Sequence, residues 1–240
     1  MIKTEMTFFE HLLEMRKRIM MILFSVLFFG IFGFYYSDFI IDFLLSSAKE
    51  ININFQVLYL TSLFMIKINI AFFSSLFFSF PIILYQVLMF IKPAFENKLS
   101  FFKIILFVLS SVLLFVIGLI FGYKILIPIA VNFFNSISLG LSTNVSPNYT
   151  LENFLIYLIW VLALSSIIYQ IPIIIIVLAK MNIVNYKSLS NKRLYLVVIF
   201  FIIGALLTPP DPISQILVAL SMYLLYELTI LFLYLFFNNE

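Results

Sequence analysis

Six apolar runs, separated by short polar stretches, make up most of this 240-residue chain. They cover Ile19–Tyr36, Ile68–Ile91, Phe101–Ile127, Leu151–Leu178, Leu194–Leu207 and Ile213–Phe237. Runs of this length and apolarity predict membrane-spanning helices, since about 20 residues of helix cross a hydrocarbon core of about 30 Å. The fifth run is too short for that, because Leu194–Leu207 reaches only about 21 Å at roughly 1.5 Å per residue. The turn after it, Leu207-Thr208-Pro209-Pro210-Asp211-Pro212-Ile213, is therefore expected below the membrane surface. A short span of this kind thins the bilayer around it.

The predicted fold is an all-α integral membrane bundle of six transmembrane helices in a single domain over residues 1–240. Residues 1–18 form an amphipathic N-terminal helix on the inner surface. Thr7 and Glu10 have the spacing of a capping box. Phe8, Phe9, Leu12 and Leu13 share one face, with Glu10, Glu14 and Lys17 on the other. The connection Ser37–Lys67 reads as a long outer loop. The connection Pro128–Thr150 reads as a second one, ending in a turn and a helix start at Ser146-Pro147-Asn148-Tyr149-Thr150. The inner loop Lys92–Lys98 is tight. With the N-terminus inside, eleven Lys and Arg residues fall on the inner side and three, Lys49, Lys67 and Lys124, on the outer. This asymmetry predicts both termini inside.

Composition confirms the class: 64% of residues are hydrophobic and 10% charged, against roughly 25% charged in soluble domains. Cysteine is absent, which excludes disulfides and thiol chemistry, and His11 is the single histidine. The net charge of +3 is informative only through its placement. No Ser/His/Asp set, phosphate loop or metal-ligand spacing points to an enzyme. No cofactor and no nucleic-acid partner is indicated. Arg16-Lys17-Arg18 before the first run imitates a signal peptide, but a polar helical segment precedes it and no small-residue cleavage site follows.

Six polar residues stand out. Glu14 reads either as an interfacial carboxylate for a cationic ligand or as an intrahelical partner of Arg18 or Lys17. Glu96 reads as a solvated loop charge between Lys92 and Lys98. Gln170, before Pro172 in the fourth run, either satisfies a carbonyl freed by the proline or docks a partner's helix. Asp211 before Pro212 is a good helix N-cap, and Gln215 follows one turn later. Glu227 lies inside the last run, where acids face the protein interior or a water-filled cavity.

Several motifs together carry a family resemblance over almost the full length. They are His11-Leu12-Leu13-Glu14-Met15-Arg16-Lys17-Arg18, Phe80-Pro81-Ile82-Ile83-Leu84-Tyr85-Gln86-Val87 with Phe90-Ile91-Lys92-Pro93-Ala94-Phe95, and Asn191-Lys192-Arg193-Leu194-Tyr195. To these is added Thr208-Pro209-Pro210-Asp211 with Ser214-Gln215. The chain resembles TatC, the multi-spanning receptor subunit of the twin-arginine protein translocase. The resemblance implies a concave six-helix bundle with both termini cytoplasmic. It implies binding of folded precursors through their twin-arginine signal peptides, transport driven by the proton gradient, and single-span TatA- or TatB-type partners in an oligomeric translocase. It places signal-peptide binding at Glu14, with Arg16 in the same motif; Gln170, Asp211, Gln215 and Glu227 are the candidates for partner docking or intramembrane polar roles. Two positions depart from the family. A second acid expected near the third span is Leu99 here, with Glu96 one turn earlier as its candidate substitute. A glutamate expected before Pro172 is Gln170.

The competing reading is a proton-coupled small-molecule transporter using Asp211 and Glu227, and a structural scaffold is a third. The expected location is a bacterial inner membrane, or an organelle membrane if the gene is organelle-encoded.

Overall fold

The computed structural model describes residues 8–46, 55–94, 100–139, 149–208 and 212–237. Among the described residues the fold is all-α apart from one two-residue bridge. Among the described residues five helical segments are long and apolar enough to cross a membrane, and Arg193–Leu207 is a shorter apolar helix.

Helix α1 spans Phe8–Tyr35 without a break. From Phe8 onward the amphipathic segment and the first apolar run are thus one rod, while Thr7 of the expected capping box lies outside the described residues. The basic cluster Arg16–Arg18 does not interrupt it, because Arg18 pairs with Glu14 one turn back and long basic side chains lay their methylenes along apolar surface. α1 rests chiefly on α3, Ser62–Ile91. The approach is close where Gly33 faces Ala71 and Ser74, so that a Cβ there would collide with the Ser74 hydroxyl.

Between them the connection expected as a loop contains a further helix, α2, Ser37–Ser46. Asp38 and Asp42 mask it in the sequence. Asp38 points out to Lys67 at 2.8 Å, while Leu44 is buried. Phe55–Gln56 (β1) then pairs in parallel with Tyr149–Thr150 (β2), tying the connection before α3 to the one before the fourth apolar run.

The third apolar run forms α4, Phe101–Phe121, passes through one π-helical turn, Gly122–Leu126, and continues as α5, Ile127–Leu139. The sequence suggests an end at Pro128; the helix runs through it. A proline ring clashes with the carbonyl four residues back. The wider π turn, closed by Ile127 N–H on the Gly122 carbonyl, gives room for that ring.

The fourth run is two helices, α6 (Leu151–Ile168) and α7 (Ile171–Lys180), split at Tyr169-Gln170 with Pro172 in the first turn of α7. Thr150 caps α6, as the sequence suggests, though its side chain makes no capping bond. A short helix α8, Tyr186–Asn191, is capped by Asn185, whose side chain accepts from Ser188 N–H at 2.8 Å. α9 (Arg193–Leu207) and α10 (Pro212–Phe237) form the final hairpin. α9 is 15 residues long, about 22 Å of rise. The central core joins α3, α5, α6 and α10 through Ile66, Ile70, Ile127, Leu155, Leu158 and Val218, all essentially inaccessible.

Candidate functional site

The most polar assembly at the N-terminal end of α1 is built on Glu14. α3 returns antiparallel to α1 and brings Gln86 and Met89 beside Arg18. The Arg18 guanidinium donates through Nε to Glu14 Oε1 at 3.1 Å, and Nη2 contacts the same oxygen. Its Nη1 donates to Gln86 Oε1 at 3.2 Å and Nη2 to the Met89 carbonyl at 3.3 Å. Gln86 Nε2 lies 3.0 Å from Met21 Sδ. His11 stacks on Phe90 at 4.4 Å between ring centroids, closing the assembly toward the N-terminus.

The two carboxylate oxygens of Glu14 are not equivalent. Oε1 takes the Arg18 guanidinium, whereas Oε2 is buried and has no hydrogen-bond partner among the described residues. An ionised carboxylate accepts on both oxygens, and leaving one buried and unmet costs about 1–3 kcal/mol. The arrangement therefore leaves Oε2 with unused acceptor capacity, which an incoming N–H donor reaches only once the side chains covering it move aside. Both sequence readings of Glu14 coexist: it has an intrahelical partner and it retains a vacant acceptor. Arg16 is solvent-exposed, two residues along and on another side of α1. Glu96 and Leu99 lie outside the described residues, as does Asp211.

The remaining polar candidates hold helices to one another. Gln170 is buried at the α6/α7 break and forms a reciprocal pair with Ser111 of α4. Ser111 Oγ donates to Gln170 Oε1, and Gln170 Nε2 donates to the Ser111 carbonyl at 3.3 Å. Its side chain thus joins two helices of this chain, not the carbonyl freed by Pro172. Interhelical side-chain bonds in membranes average about 0.6 kcal/mol and reach about 1.7. Gln170→Leu breaks both and leaves Ser111 buried with an unmet hydroxyl, so we expect a loss of about 1–2 kcal/mol. The added change Ser111→Ala should recover part of it. Thermal unfolding of the two variants in detergent checks this, and equal stabilities of Gln170→Leu and the parent would refute it.

Glu227 is clamped by Arg193 from the start of α9. Arg193 Nε lies 2.8 Å from Glu227 Oε1 and Nη2 donates to Oε2 at 3.0 Å, a two-pronged pair. Tyr223 OH donates to Oε1 at 2.8 Å, and Tyr226 OH donates to the Leu189 carbonyl at 2.8 Å. At the other end of the hairpin Gln215 Nε2 donates to the Phe201 carbonyl at 3.1 Å. Gly204 lets the backbones close there, since a Cβ would stand 3.0 Å from the Gln215 carbonyl oxygen. α9 is thus fastened to α10 at both ends. Because the Arg193 side chain is 45% exposed, solvent screens the pair. A double-mutant cycle with Arg193→Gln and Glu227→Gln should return a coupling of about 0.5–1 kcal/mol; additive effects would leave Glu227 free for another role.

Sequence reasoning did not single out Gln86 or Ser111 as partners. Gln86 stands within a quoted motif, and an amide inside an apolar run is a signal for a tertiary hydrogen bond. Ser111 follows Ser110, and nothing local distinguishes the two. The pair Gly118-x-x-x-Gly122 is a further signal, since small residues four apart mark close helix contact. Among the described residues no group of three or more acidic or histidine side chains converges as a metal site would require.

Comparison with known proteins places this architecture. The family described as "Sec-independent protein translocase protein (TatC)" matches residues 10–220. The TatC protein of Rickettsia prowazekii is 34% identical over 231 residues, covering 94% of this chain and 91% of the relative. That of Carboxydothermus hydrogenoformans is 30% identical over 226 residues, covering 94% and 91%. A crystal structure of the twin arginine translocase receptor TatC in DDM superposes with a TM-score of 0.79 at 29% identity, covering 93% of this chain and 99% of that one. The chain belongs to the TatC family of Sec-independent protein translocase proteins and is a multi-pass integral membrane protein, not an enzyme.

Proposed function

We propose that this chain is the receptor of a twin-arginine translocase, and that Glu14 reads the signal peptide's arginine pair. The observation that carries the reading is the buried Glu14 Oε2, without a partner among the described residues, beside an oxygen already held by Arg18. A guanidinium fork meets such an acceptor through charge-assisted hydrogen bonds of about 1.5–3 kcal/mol each. Arg16 at the exposed face and Glu96 in the following inner loop complete the binding surface, with Glu96 standing in for the acid that Leu99 lacks. Glu96→Ala should then weaken signal-peptide binding about as much as Glu14→Ala; no effect would remove Glu96 from the site.

In this reading six helices, α9 among them, cross a bacterial inner membrane with both termini in the cytoplasm, forming a concave bundle within one membrane domain. The length of α9 supports local thinning of the bilayer. Asp211 caps α10 below the outer surface, and normal export by Asp211→Asn would leave it that role alone. TatA- or TatB-type single-span subunits join the receptor in an oligomer, and the proton gradient drives transport of the folded precursor. Contacts with those subunits involve the polar positions Gln170, Gln215 and Glu227 through the helix pairs they hold. The proton-coupled carrier reading finds less support, because Glu227 is compensated by Arg193.

The deciding experiment is photo-crosslinking in membranes from Leu13 and Lys17, which flank Glu14, with a twin-arginine precursor and its twin-lysine form. Lysine keeps the charge and loses the fork. Crosslinks confined to the twin-arginine form support the receptor; equal crosslinks to both would overturn it.

A further inference from the structure

At the end of the bundle opposite Glu14, an open groove of about 790 Å³ runs between α2, α3, α4 and α6. Its walls are aromatic and branched aliphatic side chains, among them Phe43, Phe73, Phe77, Phe80 and Phe115. The polar groups at its edge are already engaged, with one exception. Ser74 Oγ donates to the Ala71 carbonyl at 3.2 Å. Tyr123 stacks on Phe43 at 4.6 Å, donates to the Phe43 carbonyl at 3.1 Å and lies 2.9 Å from Ser46 Oγ. The exception is Lys124, the groove's one charged lining residue, which is solvent-exposed and has no ion pair among the described residues. Lys67, a second cation at this end, is taken by Asp38. Lys124 sits in the π-helical turn, a local irregularity frequently found at functional sites.

We propose that this groove holds an acyl chain of an anionic phospholipid whose headgroup phosphate pairs with Lys124. Two features select a lipid over a partner's helix. With side chains, a helix is about 10–12 Å across and would lie along the mouth of the groove, whereas a lipid tail is a single thread of methylenes that enters between the rings. Helices in membranes also meet through small residues. That is how this protein joins its own, at Gly33 with Ala71 and at Gly118 with Ser165 and Ser166. The groove's large rings offer no such seam. A lysine at a membrane boundary extends its ammonium to the headgroup level while its stem lies on apolar surface, where an anionic phosphate neutralises it.

The test is native mass spectrometry of the full chain from nanodiscs containing equal phosphatidylglycerol and phosphatidylcholine with identical tails. The expected result is preferential retention of one phosphatidylglycerol, at least fivefold over phosphatidylcholine, whose phosphate is neutralised by its own choline and so gains less from Lys124. Lys124→Gln, a surface change, should bring that preference close to one. Val116→Trp, which fills the groove, should lower retention of both lipids. Equal retention by the parent chain, or a preference unchanged in Lys124→Gln, would mean annular lipid only and overturn the proposal. So would a photoreactive side chain at Val116 that captures a protein in place of lipid in native membranes. None of these outcomes depends on twin-arginine recognition at Glu14.

Discussion

Glu14→Gln should weaken binding of a twin-arginine signal peptide by about ten- to a hundred-fold, the loss of one charge-assisted hydrogen-bonded contact of about 1.5–3 kcal/mol. The amide keeps the shape of the side chain, so Arg18 retains Gln86 and the Met89 carbonyl, and thermal stability should fall little. Arg18→Gln makes the informative contrast. It frees Glu14 Oε1 and leaves the partly buried carboxylate without its cation, so it should lower stability while holding peptide affinity within a few-fold. An intrahelical pair with a purely structural role predicts the opposite pattern: both variants lose stability alike and neither changes affinity selectively. Peptide titration into nanodisc-embedded protein, with unfolding temperatures measured in parallel, separates the two. Unchanged affinity in Glu14→Gln would sink the receptor assignment of this residue.

The hairpin α9–α10 was legible in the sequence almost to the residue. Arg193 before the fifth run and the proline-rich turn after it mark helix ends by charge and by missing N–H groups, and the helices begin at Arg193 and Pro212. The apolar runs also located the long helices, because a chain in lipid must satisfy its backbone internally. What periodicity could not give was the behaviour at the ends. The amphipathic segment before Ile19 was legible as a helix, but not its fusion with the first run into one helix from Phe8 to Tyr35, which follows because a charged turn on one face does not break backbone bonds. α5 continues past Pro128 because a π turn precedes it, a compensation that no local rule announces. α2 was hidden by two aspartates, one of which is held by Lys67 from α3. Glu14 was legible as a candidate from its motif, but its asymmetry was not. That depends on which residues of α3 come alongside, and Gln86 and Met89 are about 70 positions away in the chain. The same holds for Gln170, whose partner Ser111 belongs to a helix 59 positions earlier.

Gly118→Ala should be among the most destabilising single-methyl additions in the chain, while Gly30→Ala should be close to neutral. At Gly118 an added Cβ would stand 2.7 Å from Ser166 Cα and 3.0 Å from the Ser165 carbonyl oxygen. Those are backbone atoms of α6, which cannot swing aside, so α4 and α6 must separate along the seam. Separation also stretches the Ser165 Oγ–H bond to the Gly118 carbonyl, now 2.9 Å. Overpacking of this kind costs about 1–3 kcal/mol, occasionally more. Gly122→Ala should fall between the two. Its methyl meets chiefly the Ser165 hydroxyl, a side chain that can rotate, though only by giving up that bond. At Gly30 the nearest atom to a new methyl is Ser75 Cβ at 3.7 Å, an ordinary contact, and alanine's helix preference of about 0.8–1.0 kcal/mol over glycine offsets any residual crowding. The order of unfolding temperatures in detergent should therefore be Gly30→Ala highest, then Gly122→Ala, then Gly118→Ala. A Gly118→Ala variant as stable as Gly30→Ala would show that α4 and α6 can part without cost. The close seam would then contribute nothing to the stability of the helix bundle on which Gln170 and Ser111 meet.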